Sequence, residues 1–67
     1  ELRRVLESFL ESLSKESRLI FLRRYLYGDS AAEIAQRYGM KPATVLRTLS
    51  RTRQKLKNYL TQEGYTV

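Results

Sequence analysis

SAAEIAQRYGMKPATVLRTLSRTRQKL, residues Ser30 to Leu56, is the stretch that decides how this chain folds. Ser30 followed three residues later by Glu33 is a capping box. The serine oxygen takes one orphan amide at a helix start, and the glutamate reaches back to the other. The helix it opens is short, about 31–38, with Ile34 and Ala35 on its inward side, and Gly39 ends it. Pro42 suits the first turn of the next helix, where its missing N–H has no intrahelical partner to lose. No further Pro or Gly occurs until Gly64, so that helix runs to about residue 61. Two helices joined across Gly39-Met40-Lys41 form a helix-turn-helix, with Ala35 small enough for close approach and Val45 packing back onto the shorter helix.

Two more helices precede this unit. The first is expected over 2–13, because Leu2, Val5, Leu6, Phe9, Leu10 and Leu13 recur at spacings of three and four and share one face. Ser14 then offers an N-cap, and Glu16 lies in the first turn of a second helix over 15–27 that carries Leu19, Ile20, Phe21, Leu22, Tyr25 and Leu26. Gly28 fits the left-handed position that closes such a helix. The expectation is an all-α, four-helix bundle with a C-terminal helix-turn-helix, one domain spanning 1–67, its tail over 62–67 frayed. The start at Glu1 rather than Met suggests a fragment of a longer protein.

Composition narrows the function. The chain has 67 residues, no cysteine and no histidine. Disulfides and thiolate metal sites are excluded, and the commonest general base and metal ligand are missing. Neither enzyme activity, a metal nor a cofactor is expected. No apolar run approaches the roughly 20 residues that span a bilayer, and no signal peptide is visible, so a cytoplasmic setting is expected. The net charge is +6 and the pI about 10.1, which suggests an anionic partner. Most of that excess lies late in the chain: Lys41, Arg47, Arg51, Arg53, Lys55 and Lys57 stand against Glu63 alone after residue 40.

The fourth helix sorts these cations. At about 100° per residue, Leu49, Thr52, Leu56, Tyr59 and Leu60 fall within about 60° of Val45 and form a buried stripe. Ala43, Arg47, Ser50, Arg51 and Gln54 fall opposite. Arg47 and Arg51 are one turn apart and point the same way, and arginine bonds guanine bidentately in the major groove. Lys41, Thr44 and Thr48 lie near the helix start, where ammonium, hydroxyl and free backbone N–H groups bind phosphate. Arg53, Lys55 and Lys57 lie further along, toward phosphate or solvent. A basic face is also simply a solvated one, and a membrane-surface helix has the same composition. The apolar stripe is needed for the core of so small a domain, which counts against the membrane.

The pattern Arg24-Tyr25, Gly28, Ser30, Glu33-Ile34-Ala35, Gly39, Thr44-Val45, Leu49, Arg51, Arg53 and Leu56 resembles region 4 of the sigma-70 family of RNA polymerase sigma factors, most of all the extracytoplasmic-function group. The likeness runs from about Leu13 to Leu60. The ending Arg51-x-Arg53-x-x-Leu56 separates the chain from LuxR-type domains, which share Glu-Ile-Ala and Thr-Val but usually carry a histidine in the last helix. The resemblance implies a bacterial transcription-initiation domain that reads the −35 promoter element through the fourth helix, docks on the flap of the polymerase β subunit and is a target of anti-sigma factors. Carried over by position, Lys41, Ala43, Thr44, Arg47, Thr48 and Arg51 face the duplex. The expected base-reading set is Ala43, Thr44, Arg47 and Arg51. The expected phosphate set is Ser30, Lys41, Thr48, Arg53 and Lys55. Three residues depart from the family pattern. Lys41 replaces the usual Ser or Thr cap, Leu46 stands where Lys is frequent, and Leu19 stands where a polar residue is frequent, as core or as part of an exposed docking surface.

The isolated domain is expected to be a monomer that binds promoter DNA weakly until polymerase tethers it. Two other readings stay open at this point. One is a LuxR-type or stand-alone regulator that dimerises on a palindrome. The other is a protein-interaction module that docks on polymerase or an anti-sigma factor through the first two helices.

Overall fold

The computed structural model describes residues 1–65; Thr66 and Val67, the end of the expected frayed tail, lie outside the described residues. Four helices follow one another: α1 (Leu2–Ser12), α2 (Lys15–Tyr25), α3 (Ala31–Tyr38) and α4 (Pro42–Gln62), with no strand among the described residues. The expected all-α bundle is therefore the observed fold. α4 has 21 residues and sets the long dimension of the molecule, 36 Å. The other three helices pack along it.

Local chemistry fixes each start. Ser14 accepts the Ser17 N–H at the head of α2. At α3 both halves of the capping box are made: Glu33 N–H to Ser30 Oγ at 3.1 Å and Ser30 N–H to Glu33 Oε1 at 2.8 Å. α4 opens with Pro42 in its first turn behind Lys41, which makes no side-chain cap. Gly39 sits at φ 65°, and the Met40 N–H returns to the Ala35 carbonyl at 2.8 Å. That closure needs a left-handed residue, which glycine adopts without strain.

Two helix ends fall short of the sequence expectation. α1 stops at Ser12 because Leu13 turns extended (φ −83°, ψ 156°) and drops its side chain into the core. α2 stops at Tyr25 rather than Tyr27. The Leu26 and Tyr27 amides both converge on the Leu22 carbonyl, at 2.8 and 3.2 Å. The chain then passes through Gly28 at φ 76°, and the Asp29 N–H bonds back to the Arg23 carbonyl at 2.9 Å. α4 runs one residue past its expected end. Beyond it the Tyr65 N–H returns to the Leu60 carbonyl at 2.9 Å.

The core has two parts. Ile20, Ile34, Ala35, Val45 and Leu49 form the apolar cluster that holds α2, α3 and α4 together, with Ala31 and Met40 at its edge. Phe9 of α1 enters an aromatic cluster, edge-on to Phe21 at 6.3 Å and tilted on Tyr59 at 5.5 Å. These rings dock α1 on the C-terminal half of α4, where pairs at such separations add about 0.5–1.5 kcal/mol beyond their area. Thr52 is the one buried polar side chain among the described residues, and its hydroxyl donates to the Thr48 carbonyl at 2.8 Å. A hydroxyl that bonds back along its own helix leaves no orphan in the core.

Candidate nucleic-acid interface

Burial divides α4 as its sequence period requires. Val45, Leu49 and Thr52 are buried, and Leu56, Tyr59 and Leu60 are half-buried. Ala43, Arg47, Ser50, Arg51 and Gln54 are all exposed on the other side. This outer face begins immediately after the α3–α4 turn. It thus sits at the N-terminal end of the second helix of a helix-turn-helix, the part that enters a major groove.

The remaining expected contact residues are placed less uniformly. Lys41 and Lys55 are exposed, while Thr44 and Thr48 are half-buried. Ser30 is exposed, but its oxygen already accepts the Glu33 amide. Arg53 is exposed, and its guanidinium donates to the Tyr25 hydroxyl at 2.9 Å, which puts it at the seam between α2 and α4.

The electrostatics are one-sided. Among the described residues none of Arg47, Arg51, Arg53, Lys55 and Lys57 belongs to an ion pair. The acidic groups do their work elsewhere. Asp29 accepts from Arg23 Nε at 2.7 Å and lies 4.0 Å from Arg37 Nε, so one carboxylate ties α2 to α3. That hydrogen bond is the main reason the Arg23 pKa lies above its ordinary value, against a smaller opposing effect of burial. The Tyr27 ring covers the same guanidinium at 4.5 Å. The positive field of α4 is consequently not neutralised from within the domain.

Sequence reasoning did not find the Arg23–Asp29–Arg37 clasp or the Arg53–Tyr25 bond. Arg24-Tyr25 appeared only as part of a family pattern, and nothing in the spacing tells which tyrosine meets which arginine.

Among the described residues no three metal-ligating side chains gather, and no helix is long and apolar enough to cross a membrane. A family model described as "Sigma-70, region 4" matches residues 3–56. The chain belongs to the sigma-70 region 4 family. No curated protein and no solved structure matches it. The family is one of non-enzymatic DNA-binding domains that work with RNA polymerase on promoter DNA. Membership decides for a sigma-type domain over the LuxR-type reading. The match begins at Arg3, so it takes in α1, whereas the likeness read from the sequence began only at Leu13.

Proposed function

We propose that this sigma-70 region 4 domain recognises a −35 promoter element through the outer face of α4. Arg47 and Arg51 read guanine, Ala43 and Thr44 lie against neighbouring base edges, and Lys41, Thr48, Lys55, Arg53 and Ser30 stand toward phosphate. One observation carries the reading: Arg47 and Arg51 are exposed and unpaired one turn apart, directly behind a buried Val45–Leu49–Thr52 stripe. The stripe fixes the roll of the helix, and so aims both arginines outward.

Phosphate contacts supply most of the affinity, each adding about 0.9 to the steepness of the log–log salt dependence. With one recognition helix, the domain acts as a monomer tethered by polymerase in the cytoplasm. Leu19 favours a docking role beside DNA reading. It is exposed and, with Ile20 and Tyr38, lines a groove of about 380 Å³ whose wall residues all come from α2 and α3. A contact there with the polymerase flap, or with an anti-sigma factor of an extracytoplasmic-function system, leaves α4 free.

Selection of bound duplexes from a random pool at low salt tests the proposal. An asymmetric, non-palindromic site of one half-turn or so is the expected product. A palindrome bound by a dimer, or no enrichment at all, contradicts it.

A further inference from the structure

Leu46 is exposed to 57 %. It is the one large apolar side chain exposed on α4 among the described residues; the other exposed α4 residues are Pro42, Ala43 or polar or charged. A single exposed leucine is ordinary on a protein surface. Its position is what matters. It lies in the second turn of α4, 100° from buried Val45 and 100° from exposed Arg47 by helix geometry. That is the edge of the outer face, within the N-terminal turns that meet base edges.

The surroundings leave it accessible. Ala43 and Ser50, one turn away on the same flank, are small and exposed. Arg53, the next long side chain along that flank, is held by the Tyr25 hydroxyl and does not fold over it. An uncharged, polarity-free side chain has one specific target in the major groove, the C5-methyl group of thymine.

We infer that Leu46 is a specificity-determining residue that packs on a thymine methyl beside the guanine read by Arg47. The inference rests on the DNA-reading role proposed above. Side chains on adjacent positions of a helix of about 10–12 Å diameter reach base pairs within about three steps of each other. The chain therefore requires a thymine at one fixed place near its guanine. An arginine or lysine at position 46 adds a cation to the phosphate contacts, whereas this leucine exchanges salt-dependent affinity for discrimination of a methyl group.

The test uses the 67-residue chain and the duplex it selects from a random pool. Each thymine is replaced singly by deoxyuridine, which removes the methyl and nothing else. At one position the substitution weakens binding about fourfold, the worth of one methyl-sized group taken from water. Leu46→Ala binds the thymine and deoxyuridine duplexes equally, with an unchanged melting temperature because the side chain is exposed. Tolerance of deoxyuridine at every position, or the same penalty in Leu46→Ala, overturns the assignment. If the selected duplex is bound specifically and Arg47→Ala abolishes the preference while no methyl matters, only the role of Leu46 falls. If no duplex is preferred, the DNA-reading proposal falls and this inference with it. Unchanged duplex binding by Leu46→Ala alongside weakened binding to polymerase also overturns it, and marks Leu46 as a protein contact.

Discussion

Arg53 donates a hydrogen bond to the hydroxyl of Tyr25 across 28 positions of sequence, at 2.9 Å, and so fastens the middle of α4 to the end of α2. The Tyr25 ring itself lies tilted against Phe21 with centroids 4.8 Å apart, and Arg24 lies over it at 5.8 Å. Tyr25→Phe keeps the ring and removes the hydroxyl. A surface hydrogen bond between side chains contributes at the low end of about 0.5–1.5 kcal/mol. Tyr25→Phe is expected to lower stability by about 0.5 kcal/mol in urea unfolding, and Tyr25→Ala by more, because the aromatic contact goes with it. Equal effects of the two substitutions are the result that contradicts this.

Leu46 and Leu49 give a second prediction, since they stand three residues apart on one helix with opposite surroundings. Leu49 is 1 % exposed within the Ile20–Ile34–Val45 cluster. Leu49→Ala removes core packing and is expected to cost about 2–5 kcal/mol, much of the stability of so small a domain. Leu46→Ala is expected to stay within about 0.5 kcal/mol of the native chain. Circular dichroism through a urea titration separates the two.

Lys41 leaves the start of α4 without a side-chain cap. Lys41→Ser supplies one, and capping residues at such sites typically contribute about 1 kcal/mol. The same substitution removes a cation from the expected phosphate set. Thermal stability is expected to rise while duplex affinity falls and the salt dependence becomes shallower by about one contact, some 0.9 in slope. A gain in stability with no change in the salt slope excludes Lys41 from the phosphate set.

Asp29 accepts from Arg23 and lies near Arg37, so it locks the turn that hands α2 over to α3. Asp29→Asn keeps the shape and removes the charge. The melting temperature is expected to fall, and to fall further in low salt than in high, because the lost interaction is ionic and screened. A salt-independent fall points to the turn geometry alone.

How far the sequence disclosed this structure depends on the range of the interaction concerned. The buried stripe of Val45, Leu49 and Thr52 was legible because a long uninterrupted helix has a fixed angular period. The Ser30–Glu33 box was legible because both partners lie within one turn. The ends of α1 and α2 were displaced by one and two residues. There the outcome is set by Leu13 turning into the core, a tertiary event, and by the turn through Gly28, where the Leu26 and Tyr27 amides share the Leu22 carbonyl. Leu19 and Leu46 show the limit for apolar residues. A leucine reads as core wherever the period allows it, and only the packed neighbours reveal that both are exposed. For the candidate site, the outward direction of Arg47 and Arg51 followed from the same period as the stripe. The engagement of Arg53 by Tyr25 and of the Ser30 oxygen by the Glu33 amide needed the fold.

The proposed function requires that Arg47 and Arg51, both exposed and outside any ion pair among the described residues, meet base edges from the outer face of α4. The most direct measurement compares native chain, Arg47→Ala, Arg51→Ala and Lys55→Ala on the selected duplex and on a scrambled one, by fluorescence anisotropy at fixed low salt. Loss of about 1–3 kcal/mol on the selected duplex, with little change on the scrambled one, is expected for each arginine variant, and equal loss on both for Lys55→Ala. If the arginine variants weaken both duplexes alike, the arginines serve phosphate only, and the base-reading face of α4 is refuted.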